Sequence, residues 1–240
     1  MPHRTPERRL DRWLFTGGPL LALVAGYVNV ILLMHFAIPV SHVTGAVAHL
    51  GLDGIHHHGS ALRLAASVVL AFLLGALVTG YWTGGQVFQH KRRYGLVFMV
   101  QGLLFGLAAH WLAQDSALAV PAAAFGCGMQ NAMASSYRGL NLRTTHMTGI
   151  VTDIGVLLGL RLRGQQIQSW RLGLLCLIFL GYLAGTLLGV ALADWQQALA
   201  LYLSAWVCLL GGLSYLLLLP RIISPTTVGE SDEVKPADPQ

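Results

Sequence analysis

The chain has 240 residues, of which 55% are hydrophobic and only 10% are charged. Soluble domains carry about 25% charged residues, so too few charges remain here to cover a surface that faces water. The net charge of +5 does not indicate nucleic-acid binding, because membrane topology accounts for the positions of the basic residues. The composition excludes an ordinary soluble domain and predicts an all-α membrane protein.

Six apolar segments are predicted to cross the bilayer as helices. They follow one another at 14–36, 62–83, 94–113, 117–136, 171–193 and 197–219. A bilayer core of about 30 Å needs about 20 apolar residues in helical form. Because the stretches are long and continuous rather than short and alternating, they favour helices over a β-barrel.

The predicted organisation has four parts. A basic cytoplasmic segment covers 1–13, two three-helix repeats cover 14–113 and 114–220, and a polar tail covers 221–240. The basic start resembles a signal peptide, but the apolar stretch after it exceeds the usual length of about 7–15 residues. We therefore expect a retained first helix. The tail is rich in proline and acidic residues, which predicts disorder.

The basic residues give the predicted orientation. Fourteen of the fifteen Lys and Arg side chains fall on one side of the six-helix path, and Arg63 is the exception. The loops around Asp115 and Asp194 contain no Lys or Arg. An excess of basic residues marks the cytoplasmic side, so both termini are predicted to be cytoplasmic.

Two segments of the chain match each other. Residues 41–51 and 145–155 share the pattern S/T-H-x-T-G-x-V-x-x-L/I-G at an offset of 104 residues. Three predicted helices separate equivalent positions, and an odd number turns the second copy upside down. The sequence thus predicts inverted repeats, which are typical of many secondary transporters.

Each matching segment predicts a short interrupted or re-entrant helix. The segments are too short and too polar to span a bilayer, and a helix is expected to start after each Thr-Gly pair with Thr44 or Thr148 as its N-cap. A helix N-terminus carries partial positive charge and free N–H groups, which suit a polar or anionic ligand. We therefore place the predicted site between the two motifs.

The paired segments resemble the YoaK-like family of bacterial inner-membrane proteins, with the second motif as the more specific part. The resemblance covers about residues 14–219 and implies the bacterial inner membrane as the location. It implies the class of protein and its membrane topology, but it says little about the mechanism of the protein. The first motif of this family often reads Thr-Gly-Asn, whereas Ala46 follows Gly45 here. The two halves are therefore expected to differ in function.

Polar residues in and near the motifs form the predicted substrate or ion pathway. They are Asn29, His42, Thr44, Gly45, His49, Gln130, Asn131, His146, Thr148, Gly149 and Asp153. A spacing of seven residues puts His42 with His49, and His146 with Asp153, on one helix face. Histidine titrates near physiological pH, so protons are the expected coupling ion. The alternative is that these groups only stabilise helix breaks, with Asp153 paired to Arg143, Arg161 or Arg163.

Other features are weaker indications of function. Gln101 and His110 are secondary pathway candidates, and His56, His57 and His58 are weak metal candidates because adjacent histidines in a loop seldom converge on one ion. Glycines at a spacing of four in the fifth span predict close helix packing. No catalytic residue and no cofactor are predicted.

The leading functional hypothesis is a secondary transporter or exporter of a small solute. A channel is a close variant, a non-transporting scaffold or accessory subunit is the alternative, and a membrane-embedded enzyme ranks last. No Walker motif is present in the sequence, which argues against ATP hydrolysis. The bilayer is the expected partner. Substrate, direction, coupling and oligomeric state stay open, with a homodimer as one alternative.

Overall fold

The computed structural model describes residues 5–83, 92–133 and 143–223. Within these ranges the chain forms seven α-helices and no strand, which confirms the all-α expectation. The helices are α1 Thr5–Phe36, α2 Val43–Ile55, α3 Gly59–Thr83, α4 Arg92–Leu112, α5 Ala119–Met133, α6 Met147–Leu162 and α7 Ser169–Ile223.

Four helical stretches are long and apolar enough to cross a membrane. They are Leu14–Phe36, Gly59–Thr83, Arg92–Leu112 and Ser169–Leu218. The first three correspond to the first three predicted spans. The fourth has 50 residues and covers the fifth predicted span and all but the last residue of the sixth.

Helix α7 is divided by a kink. Gln196 has the extended backbone angles φ −156° and ψ 102°, which break the helical hydrogen-bond ladder. We call residues 169–195 the first arm and residues 197–223 the second arm of α7. The kink lies in the interval between the fifth and sixth predicted spans.

Helix α5 is shorter than the predicted span over 117–136. It has 15 residues, and a rise of 1.5 Å per residue gives a length of roughly 22 Å. The last three residues of the predicted span lie outside the described residues. The 15 described residues of α5 therefore do not by themselves reach the length of a spanning helix.

A short helix begins inside each motif, as predicted, but the predicted N-caps are wrong. The N-cap residues are His42 and His146, and neither makes a side-chain capping bond. Helix α2 begins at Val43 and α6 at Met147, so Thr44 and Thr148 already lie in the first turn. The chain enters each helix one residue before the Thr-Gly pair, which leaves both hydroxyls past the capping position.

Glycines allow α1 and the first arm of α7 to pack backbone to backbone. A Cβ atom on Gly26 would strike the carbonyl oxygen of Tyr182, and one on Gly185 would strike that of Leu23. Along the contact, Pro19, Leu23 and Tyr27 meet Gly181, Gly185 and Gly189 in turn. The two helices therefore run parallel, and the predicted packing role of these glycines is confirmed.

Helices α3 and α5 pack in the same close manner. A Cβ atom on Gly75 would strike the carbonyl oxygen of Phe125, and one on Gly128 would strike that of Phe72. Both oxygens belong to backbone and cannot move aside without displacing a helix. Small residues thus set the distance between α3 and α5.

Helix α4 packs against the second arm of α7. A Cβ atom on Gly102 would lie 2.9 Å from the carbonyl oxygen of Ala205, and one on Gly212 would lie 2.8 Å from that of Gly95. The earlier residue of α4 meets the later residue of α7, so these helices run antiparallel. Buried side chains from α1, α3, α4, α5 and the second arm form the main apolar core.

Candidate functional site

Residues 37–42 form a non-helical break between α1 and α2. Asn29 of α1 ties this break to α1. Its Oδ1 accepts hydrogen bonds from the backbone N–H groups of Val40 and Ser41, both at 3.0 Å. Asn29 is buried, as are Val40 and Ser41. These N–H groups precede α2 and have no carbonyl of an earlier helical turn to bond. The amide therefore supplies the acceptor that the broken backbone needs.

A cluster of three side chains joins the first motif to α7. The Oγ of Ser41 lies 2.9 Å from the Nδ1 of His42 and 3.0 Å from the hydroxyl oxygen of Tyr182. The tyrosine comes from the first arm of α7, 141 residues away. Sequence reasoning missed Tyr182, and its only signal was a phenol among the packing glycines of an apolar segment.

The stability of the protein is expected to fall as pH drops below about 6.5 because of His42. Burial lowers the pKa of His42 below 6.5, so the folded protein holds a neutral imidazole that protonates more readily when unfolded. The stabilising contribution is complete above the unfolded pKa, and it is lost as pH falls through the lower, folded pKa. Thermal unfolding of wild type and His42→Gln between about pH 8 and pH 5 measures this contribution of His42 to stability.

The matched control for this pH experiment is His146→Gln. His146 occupies the equivalent place in the second motif but is exposed. We expect His42→Gln to flatten the pH dependence and His146→Gln to keep the wild-type dependence. Equal profiles for all three proteins would contradict the assignment to His42.

The segment that leads into α6, of which residues 143–146 are described, is called the second break. It is held differently, by the side chains of two glutamines. Gln130 Nε2 donates to the Thr144 Oγ1 at 3.0 Å and to the Leu21 carbonyl oxygen at 2.8 Å. Gln101 Nε2 in turn donates to the Gln130 Oε1 at 2.6 Å. Both glutamines and Thr144 are almost completely buried. Because a carbonyl only accepts, the Leu21 contact fixes the orientation of both amides.

Two buried acceptors near the second break lack a donor among the described residues. They are the Oε1 of Gln101 and the Oδ1 of Asn131. In the sequence, Asn131 lies three residues after Gly128, just as Asn29, which accepts two backbone bonds, lies three residues after Gly26. A buried polar atom without a partner costs roughly 1–3 kcal/mol. The two breaks thus differ in the way they are fastened.

The second motif is more open than the first. His146 and Thr148 are exposed, and the imidazole of His146 covers Gly149, where a Cβ atom would strike it. Asp153 pairs with Arg171 at 3.7 Å, so the predicted partners Arg143, Arg161 and Arg163 were wrong. Arg171 is at the start of α7, the helix against which α6 packs. The Asp153 side chain is 49% exposed.

His49 does not join His42 in one cluster. Its Nδ1 lies 3.3 Å from the Oδ2 of buried Asp53, and the Nδ1 of His58 lies 3.5 Å from the Oδ1 of the same carboxylate. The rings of His56 and His58 stack. Across the described ranges, no group of three or more His, Cys, Asp or Glu side chains has a geometry that could hold a metal ion.

A further set of contacts fastens α1 to the kink of α7. The Nδ1 of His35 lies 2.7 Å from the Oε1 of Gln197, and its Nε2 lies 3.2 Å from the Oδ1 of Asp115. The hydroxyl of Tyr27 donates to the Ala200 carbonyl oxygen at 2.7 Å. Sequence reasoning did not predict these contacts. They hold the turn between the two arms against the end of α1.

The described helices define the chain as an all-helical protein with several apolar helices long enough to cross a membrane. The chain belongs to the DUF1275 family, whose description is "protein of unknown function". The family matches residues 18–214 of this chain. The match includes both motifs and every buried glutamine and asparagine described above. No curated protein and no solved structure matches this chain.

Proposed function

We propose that this chain, as a YoaK-like member of its family, is a secondary transporter of a small solute in the bacterial inner membrane. Its six spanning segments would be α1, α3, α4, α5 and the two arms of α7. They would form two inverted repeats, with α2 and α6 as the re-entrant helices. Solute and protons would pass between the two breaks, and both termini would be cytoplasmic.

Equivalent helix contacts support the repeat. Gly26 and Gly128 are 102 residues apart, and the carbonyls that they face, at Tyr182 and Phe72, are 110 apart. The glycines of the partner helices keep the same offsets. Gly75 and Gly185 are 110 residues apart, and the carbonyls that they face, at Phe125 and Leu23, are 102 residues apart. These two contacts of α1 with α7 therefore have counterparts between α5 and α3.

Helix directions support the six-segment path. A chain that alternates direction at each crossing brings its first and fifth segments parallel, and its third and sixth antiparallel. Helix α1 runs parallel to the first arm of α7, and α4 runs antiparallel to the second arm. Both relations fit, with the kink at Gln196 separating the two arms of α7.

The difference between Asn29 and Asn131 carries the transport proposal. Asn29 accepts two backbone bonds from its break, whereas the Oδ1 of Asn131 has no donor among the described residues. Inverted repeats that exchange conformations give alternating access. In the opposite state, Asn131 would accept from the backbone of Thr144 or Thr145, and Asn29 would be released.

The scaffold alternative rests on the same hydrogen bonds. The bonds from Gln130 to Thr144 and to the Leu21 carbonyl would be equally useful in a protein whose breaks never move. The two hypotheses differ in accessibility. A transporter exposes each motif to one side of the membrane in turn, whereas a scaffold keeps one fixed pattern.

Thr44→Cys and Thr148→Cys are expected to react with membrane-impermeant thiol reagents from opposite sides of oriented vesicles. Both native side chains are exposed, and Cys176→Ala removes the one native cysteine that is only partly buried. Under a pH gradient we expect one rate to rise and the other to fall, because transport states exchange. Rates that never change in opposite directions would contradict alternating access and favour the scaffold.

The solute class would come from a thermal-shift screen of the purified protein. Organic anions, organic cations, amphiphiles and divalent metals would be compared on wild type and on the variant with both His42→Ala and His146→Ala. A ligand of the folded state raises its stability by mass action. A shift in wild type that the variant lacks would tie that class to the motifs, and the absence of any shift would count against a motif-centred site.

A further inference from the structure

Helix α6 is covered on one side only. Ile150 and Leu157 are buried in an apolar cluster with residues of α1 and of the first arm of α7. The remaining surface carries large exposed apolar side chains, of which Leu162 is 89% exposed and Leu158 is 44% exposed. Gly155 and Gly159 have no neighbouring atom within 4 Å of a built Cβ position. Nothing in the described chain covers this side of α6.

Positive charge without a described acidic partner lies at the end of this uncovered surface. Arg161 and Arg163 are exposed and flank Leu162. The only acidic residue of α6, Asp153, pairs with Arg171. No acidic side chain of the described ranges pairs with Arg161 or Arg163. Helix α6 therefore ends in two guanidinium groups, next to exposed leucines, that no described acidic side chain neutralises.

We propose that the C-terminal end of α6 binds an anionic phospholipid. Guanidinium groups match phosphate oxygens in charge and can form paired hydrogen bonds with them. Basic residues beside membrane helices recognise anionic headgroups, and the exposed Leu158 and Leu162 would contact the acyl chain. A zwitterionic lipid would cover the leucines but would leave the positive charge of the arginines unbalanced. This inference does not depend on the transport proposal.

The C-terminal tail is the competing occupant. It carries Glu230, Asp232, Glu233 and Asp238, which could approach the arginines. The tail has few apolar side chains, and polar residues gain nothing from contact with Leu158 and Leu162. Phospholipid satisfies both the charge and the apolar surface, so it is the occupant we favour.

The test measures lipid binding to the full-length protein. Wild type in mixed micelles would be titrated with phosphatidylglycerol and with phosphatidylcholine, and bound lipid would be counted by native mass spectrometry. A basic residue near an anionic headgroup contributes about fivefold in affinity. The double variant of Arg161→Gln with Arg163→Gln should therefore lose about 25-fold in preference for phosphatidylglycerol. The charge-keeping pair Arg161→Lys with Arg163→Lys should retain most of it.

The matched control is Arg63→Gln. Arg63 is also exposed, but it belongs to α3, and its substitution should leave the preference unchanged. An unchanged preference in the double glutamine variant would overturn the proposal. The proposal would also be overturned if soluble glycerol phosphate, which has no acyl chain, bound as well as phosphatidylglycerol. A preference that appears only after truncation at residue 223 would assign the surface to the tail instead.

Discussion

Gly185→Ala is expected to destabilise the protein by about 2 kcal/mol or more, whereas Gly173→Ala in the same arm of α7 should be neutral or slightly stabilising. Alanine normally stabilises a helix interior relative to glycine by about 1 kcal/mol. At Gly185 the new methyl group would strike the carbonyl oxygen of Leu23. A backbone carbonyl cannot rotate away, so α1 and α7 would have to separate. At Gly173 nothing lies within 4 Å.

Unfolding in detergent at increasing denaturant would measure both variants. A second pair in α3 repeats the test, because Gly75 faces the carbonyl oxygen of Phe125, whereas Gly80 has open space. We expect Gly75→Ala to behave like Gly185→Ala, and Gly80→Ala like Gly173→Ala. Equal stabilities within either pair would show that the helices are farther apart than the glycines imply.

Asn29→Leu is expected to cost roughly 2–6 kcal/mol, the largest loss among the polar substitutions. The change keeps the approximate volume but removes the Oδ1 that accepts from Val40 and Ser41. Two buried N–H groups would lose their partner, at roughly 1–3 kcal/mol each. Asn131→Leu should cost much less, because no described residue donates a hydrogen bond to its Oδ1. Thermal unfolding of the two variants gives the comparison.

The same pair of variants separates folding from function. If Asn131 becomes the tie in the opposite state, Asn131→Leu should fold normally but slow any flux that the ligand screen makes measurable. Equal destabilisation by both substitutions would show that Asn131 already fastens its break. Normal stability with normal flux would leave Asn131 without a role in exchange.

Local sequence predicted much of the framework because the relevant forces act over short stretches. Long apolar runs predicted the four helical stretches that are long enough to cross a membrane. The repeated motifs predicted two short helices, which the structure has at Val43–Ile55 and Met147–Leu162. The glycine spacing in the fifth span predicted close packing, although it did not identify α1 as the partner. The predicted caps were wrong by two residues. Thr44 and Thr148 are of a residue type that favours the N-cap, but the residue type alone does not show where the helix begins.

The contacts that build the candidate site required the tertiary structure. The approach of Tyr182 to Ser41 spans 141 residues, and that of His35 to Gln197 spans 162. No periodicity connects such positions, because helix packing rather than the local pattern brings them together. The partners of Gln130 and Asp153 were missed for the same reason.

By itself the sequence determined that this protein is helical, apolar enough for a membrane, and built with two similar motifs. Composition and periodicity suffice for this, because burial in lipid and backbone pairing within a helix are local requirements. Only the tertiary structure decided that Asn29 fastens its break while Asn131 has no donor among the described residues. Two nearly equal motifs can differ in this way because a hydrogen bond depends on the distance between segments, which packing sets.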